Sequence, residues 1–359
     1  MYGSILLLYL LYLFIIFVYT SVTSWVLLTL IKHIINIYLT FMSFKKLSLL
    51  SWKFLPLFSL CVFLFHHSSL VWMGPISTDE LHLFHKTHRE VFCFLVFRLH
   101  RDMTQSLLVM ALWIWLEHNG YPNFSHKVMD LSPASINDLV DEAVSCLKCL
   151  ERENFATPND GGLPSTKSLT QKGISLRIFK EKRYTIIAGI KSVLKNICAR
   201  IFGDVLQIII RSKNINRGRT SRGNMSDKAL TIPGFPHPLF GAFNINPPDT
   251  TMNLDLFDLR IWMKGPCDDV STDDKSMFLT FSRGFPVSEG EVIKLFKRSY
   301  GDCVENLSMG NTSVQDQSLF AIMVLKNVGT VDQILNGKHV AKLQINRKHI
   351  WARKYERRD

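Results

Sequence analysis

The chain has 359 residues, 47% of them hydrophobic, with 42 Lys and Arg against 30 Asp and Glu and a formal net charge of +12. That length accommodates two modest domains with connecting segments, and the basic balance favours polyanionic partners, nucleic acid or anionic lipid, without choosing between them. Seven cysteines, an odd number without regular spacing, argue against a secreted disulfide framework.

Residues 1–72 read as a hydrophobic leader. Met1–Ile31 carries no charged residue, and the stretch 4–31 exceeds the ~20 apolar residues that one membrane crossing needs. It lacks the basic start and small-residue cleavage site of a secretory signal, so an uncleaved membrane-type helix is expected. Lys32, Lys45, Lys46 and Lys53 follow with no acidic residue among them, which predicts a single pass with cytosolic C-terminal domains. A weaker apolar segment, 54–72, carries Pro56 and is short for a second crossing. The alternative is a protein that starts at Met73, without the leader, in the nucleus or cytosol. The sequence leaves both open.

A small helical bundle is expected next. Ser77 and Glu80 have the spacing of a capping box, opening a helix to about Leu99 with Leu81, Phe84, His88, Phe92 and Leu95 or Val96 on its buried stripe. Thr104–His118 is a second helix, ended by Asn119-Gly120. Ser132 with Pro133 starts a third that runs to Glu151, proline being harmless in the first turn. With the helical stretch Leu169–Arg211 these make a helical domain over 77–211, interrupted by the Pro- and Gly-rich linker Asn154–Ser168. Residues 212–274 read as an extended tether, basic and rich in Pro and Gly. Its aromatic residues Phe235, Phe240, Phe243, Phe257 and Trp262 suggest docking on a folded surface.

The chemistry-bearing motifs of this half have plain readings. His82, His85 and His88 lack the four ligands of a closed zinc site, and Cys146 and Cys149 form a CxxC inside a periodic helix rather than at a helix start. Arg217, Arg219 and Arg222, spaced by glycine and small residues, suit phosphates and bases in a flexible segment. No phosphate loop, dinucleotide fingerprint or Ser-His-Asp context is present. The expectation is a non-enzyme without metal or cofactor.

From 275 to 359 the pattern alternates strand, helix, strand, strand, helix, strand. The elements are Met277–Phe281, Val287–Tyr300, Cys303–Met309, Leu319–Leu325, Val328–Leu335 and a strand within Ile345–Tyr355. The period of two places Phe278, Thr280, Phe320 and Ile322 on one sheet face. Met277, Leu279, Phe281, Ala321, Met323 and Leu325 fall on the other. In the last strand Trp351, Arg353 and Tyr355 alternate with Ile350 and Ala352. This is the split βαβ order, βαββαβ, of the ferredoxin-like fold, so the whole chain is α+β.

The segment resembles an RNA recognition motif. Phe278 holds the aromatic position of the first-strand pattern, and Ser318–Leu325 keeps an aromatic at Phe320 and a small residue at Ala321. It departs from the pattern at Ser318, Leu319 and Ile322, the last replacing a second aromatic. The resemblance implies single-stranded RNA on the open face, with Phe278, Thr280, Phe320, Ile322, Trp351, Arg353 and Tyr355 as contacts. Arg217, Arg219 and Arg222 would add affinity independent of sequence. A wider resemblance rests on the stretches ELHLFHKTHREVF, DLVDEAVSCLKCLE, IPGFPHPLFGAFN and MFLTFSRGFPVSEGEVIKLF. These look like a plant family of uncharacterised proteins with a helical N-terminal half and a divergent RNA-recognition-motif-like C-terminal domain. It implies RNA binding only through that fold. The competing expectation is a protein-interaction adaptor, anchored in a membrane where the leader is present, whose sheet face binds a peptide or its own tether.

Overall fold

The computed structural model describes residues 78–152, 161–170, 173–216, 230–245, 270–310 and 317–357. The leader expected at 1–72, Ser77, most of the tether, and Arg217, Arg219 and Arg222 lie outside them. Among the described residues no helix is long and apolar enough to cross a membrane.

The helical lobe runs α1 (Thr78–Phe84), α2 (Lys86–Cys93), α3 (Met103–His118), α4 (Phe124–Met129) and α5 (Pro133–Glu151). It continues through α6 (Pro164–Leu169), α7 (Leu176–Glu181), α8 (Arg183–Val193), α9 (Ala199–Ile201) and α10 (Gly203–Asn216). Helix α3 is its axis. Every residue from Leu107 to Ile114 is buried, and a helix apolar on all sides must be surrounded; α2, α4, α5 and α8 surround it. Its start is fixed by the Asp102 carboxylate, which accepts the Gln105 N–H at 2.9 Å. Helix α5 begins at Pro133 behind Ser132, whose hydroxyl accepts the Ser135 N–H at 3.2 Å.

Two expectations need correction. The single helix read to Leu99 is divided at His85, where the chain turns between α1 and α2 and then closes in a π-turn over Phe94–Arg98. His85 is buried there, its ring edge-on to Phe84 and its Nδ1 3.2 Å from Nδ1 of His88. No helix-breaking residue announces this break. The extended tether expected over 212–274 is corrected only in part: α10 runs on to Asn216, while the docking that Phe235, Phe240 and Phe243 suggested is observed. Residues 230–245 form a strap, with Leu230–Thr231 (β1) pairing antiparallel to Asn244–Ile245 (β2). Ile232, Phe235, Phe240, Phe243 and Ile245 are buried in the helical core. His237 and Gly241 exchange backbone hydrogen bonds of 2.8 Å to close the turn between them.

The second lobe contains β3 (Ser276–Phe281), α11 (Glu289–Tyr300), β4 (Val304–Met309), β5 (Phe320–Leu325), α12 (Gly329–Leu335), β6 (Val340–Ile345) and β7 (Lys348–Lys354). Its antiparallel sheet has the order β4-β5-β3-β7-β6. The strand β6 is one more than the sequence rhythm predicts. It forms a hairpin with β7 across Asn346 and Arg347, both with positive φ. Helix α11 starts in a capping box, Ser288 with Glu291. Both helices pack on one sheet face, Val292 and Phe296 from α11 and Val331, Ile334 and Leu335 from α12 meeting Met277, Leu279, Ala321, Met323, Ile350 and Ala352.

The lobes meet through helices. The Asp332 carboxylate on α12 accepts the Tyr184 N–H (2.9 Å), the Thr185 N–H (2.9 Å) and the Thr185 hydroxyl (2.6 Å), capping α8 from the other lobe. Lys191 pairs with Asp274 at 2.7 Å. Docking therefore uses the helix side of the sheet, and the described residues belong to one compact α+β unit.

Candidate functional site

The face of the sheet opposite its helices is built by strand alternation. In register, Phe278 faces Ile322 on β5 and Arg353 on β7, while Thr280 faces Phe320 and Trp351. Phe278 and Phe320 are thus diagonal neighbours on one face, close enough for rings to meet. They stack with centroids 5.5 Å apart and planes 19° from parallel. The Arg353 guanidinium lies 4.9 Å above the Phe278 ring, a cation–π contact that fixes an otherwise mobile side chain. Farther out, Trp351 has the Lys342 amine 5.9 Å from its centroid on one side and the tilted His349 ring at 6.0 Å.

Phe320 (38%) and Trp351 (37%) are exposed to solvent, while Phe278 is half-buried. Gly310 at the end of β4 determines how Phe320 lies. A Cβ there would come within 2.6 Å of the ring, while the Gly310 N–H donates to the Phe320 carbonyl at 2.8 Å. The outward positions of β3, β5, β6 and β7 include Lys342, His349 and Arg353 and no carboxylate. These four strands are therefore basic as well as aromatic, while the exposed Glu305 at the bulge in β4 is paired with Lys275 at 2.8 Å.

Lys354 points the other way. Burial draws its amine down to about 8, with Asp274 opposing that fall. The amine donates to the carbonyls of Asp273, Ser276 (3.2 Å) and Tyr355 (3.1 Å), which ties the end of β7 to the turn before β3. Half-buried Tyr355 continues the pairing, its N–H donating to the Ser276 carbonyl at 3.1 Å.

Of the residues singled out from the sequence, Phe278, Thr280, Phe320, Ile322, Trp351 and Arg353 share this face, and Tyr355 follows at its margin. Arg217, Arg219 and Arg222 are not among the described residues. Sequence reasoning missed Lys342, His349 and Gly310. His349 was within reach, because it alternates with Trp351. Lys342 belongs to the unread strand β6, and the role of Gly310 needs three dimensions.

The other motifs are occupied structurally. His82 Nε2 lies 3.3 Å from the Arg200 carbonyl, and His88 Nε2 lies 3.0 Å from Glu117. Burial pushes the Glu117 carboxyl up, but His88 and the Ser125 N–H at 2.6 Å outweigh it and hold the group at about 2. Burial raises the thiols of Cys146 and Cys149, and Cys149 donates to the Leu176 carbonyl at 3.7 Å. Among the described residues no group of three His, Cys, Asp or Glu side chains is placed to hold a metal ion. No family model, curated protein or solved structure matches the chain.

Proposed function

We propose that this chain is a non-enzymatic RNA-binding protein, its C-terminal lobe a divergent RNA-recognition-motif-like βαββαβ domain widened by one strand. Its open face holds a short single-stranded segment. The observation that carries this reading is the Phe278–Phe320 stack, with Phe320 exposed to solvent and Arg353 seated over Phe278. A base stacks on an exposed ring whatever its identity, contributing about 1–3 kcal/mol, while neighbouring cations neutralise phosphates. Phe320 takes one base and Trp351 another, with Arg353 and Lys342 beside them. Ile322 stands where a further ring would strengthen the site, so binding is weak and salt-sensitive. The segment 4–31, spanning a membrane, would keep this face on the cytosolic side.

The test is a titration of the full-length chain with a fluorescently labelled uridine-rich RNA at low salt. Phe320→Ala should weaken binding roughly tenfold, which corresponds to the loss of one stacked base. Equal binding by parent and variant would overturn the proposal. The adaptor reading rests on the apolar character of the same face, where Ile322 and Val324 adjoin and Val340 is 43% exposed. It is favoured if the face retains a peptide and ignores RNA.

A further inference from the structure

We infer that the RNA path continues past the sheet edge onto the helical lobe, across a basic junction of Lys180, Lys182, Arg183 and Lys338 that grips phosphates rather than bases. This rests on the reading of the sheet face above. The two lobes touch where α12 turns into β6. A Cβ on Gly337, which has a φ of 71°, would lie 3.8 Å from Cγ and 3.9 Å from the carbonyl oxygen of Lys180. The turn Gly337-Lys338 thus lies against the last turn of α7. Two residues on, Val340 opens β6 directly opposite Arg353. Cationic side chains therefore run from Arg353 and Lys342 on the sheet, through Lys338 at its edge, to Lys180 and Lys182 on the helical lobe.

The local carboxylates are committed elsewhere, although Lys182 is near enough to Asp332 to favour its charged form. Asp332 is buried and engaged by the amides of Tyr184 and Thr185 and by the Thr185 hydroxyl. Glu181 accepts from Arg177 at 2.6 Å. Lys180, Lys182 and Lys338 are exposed and, among the described residues, none is in an ion pair, whereas Lys191, Lys275, Lys326 and Lys348 each have a carboxylate. Arg183 is held with its guanidinium 5.7 Å from the Tyr184 ring centroid, and its buried Nε has no acceptor among the described residues. Exposed lysines at the turn that leads into the sheet's edge strand suit the backbone of a strand longer than the stacking face alone can cover.

The experiment uses the full-length chain and two labelled oligouridylates, one just spanning the sheet face and one about three times longer. Binding of each is measured against salt concentration. Each phosphate contact on a single strand contributes roughly 0.7 to the slope of log K against log salt. The triple variant Lys180→Ala, Lys182→Ala, Lys338→Ala should lower that slope by about 2 for the long RNA and leave the short one unchanged. Unchanged long-RNA binding overturns the junction while leaving the sheet reading intact. Conversely, a slope loss in the triple variant, with Phe320→Ala binding like the parent, supports the junction and overturns the sheet. A parent chain that holds neither RNA overturns both.

Discussion

At the scale of single residues, Gly310 shows how little separates a usable ring from a displaced one. Its backbone is not in the left-handed region, so alanine is tolerated by the main chain and its effect falls on the neighbouring ring. Three atoms of Phe320 lie 2.6 to 2.8 Å from the position a methyl would take, and the ring must move off its stack on Phe278. Gly310→Ala should therefore weaken RNA binding several-fold in the same titration, yet add nothing in a Phe320→Ala background, because the two substitutions remove one interaction. Additive effects would show that Gly310 matters for some other reason. Glu117 offers a second residue-scale test. Its carboxyl is depressed from an ordinary 4.5 to about 2 by His88 and Ser125. The unfolded chain then binds more protons than the folded one between those values. The resulting stabilisation is fully present above pH 4.5 and is lost as the pH falls toward 2, by about 3 kcal/mol. Glu117→Gln should flatten that acid limb in urea unfolding while destabilising the chain at neutral pH. Period-two alternation made Phe278, Phe320, Trp351 and Arg353 legible in the sequence. The partners of Glu117 and Gly310 were not, since they depend on contacts between separate elements.

At the scale of elements, legibility followed the strength of the periodic signal. Helices α3 and α5 carry long apolar patterns and capping residues, and both could be placed closely. Strand β6 could not. In Val340–Ile345 the inward residues are Ala341, Leu343 and Ile345, and the outward ones include Lys342 and Gln344. Only the two-residue turn at Asn346 and Arg347 tells this short run from a loop. The box Ser288–Glu291 at the start of α11 is readable from its spacing alone. The strap 230–245 was legible only in part: its prolines and glycines signal a loop and its aromatic residues signal docking, but its paired strands and the entry of Phe235, Phe240 and Phe243 into a core built elsewhere were not. That entry makes a prediction. Phe240→Ala should destabilise the helical lobe by about 3–5 kcal/mol, the range for truncating a buried aromatic, seen as a shift of the urea midpoint. A surface tether would lose less than about 0.5 kcal/mol.

At the scale of the molecule, the arrangement of the lobes decides what the sheet face can do. Nothing in the sequence indicated that α12 would cap α8, because an aspartate on an amphipathic helix reads as a solvated position. In the folded chain Asp332 is buried, and burial raises its carboxyl even though the hydroxyl of Thr185 and the amides of Tyr184 and Thr185 pull it down. Asp332→Ala strands those amides at a buried helix start, at a cost of about 1–3 kcal/mol. Removing Lys191 as well deletes the ion pair to Asp274. With these links intact, the two lobes should unfold in one calorimetric transition. The double variant Asp332→Ala, Lys191→Ala should split or broaden it, since each lobe has its own hydrophobic core and only the docking is lost. The same variant should keep its affinity for an RNA confined to the sheet face while losing part of its grip on one long enough to reach Lys180 and Lys182. A single sharp transition in the double variant would show that the lobes are held together by apolar contact between α8 and α12, with Asp332 merely satisfying the helix end.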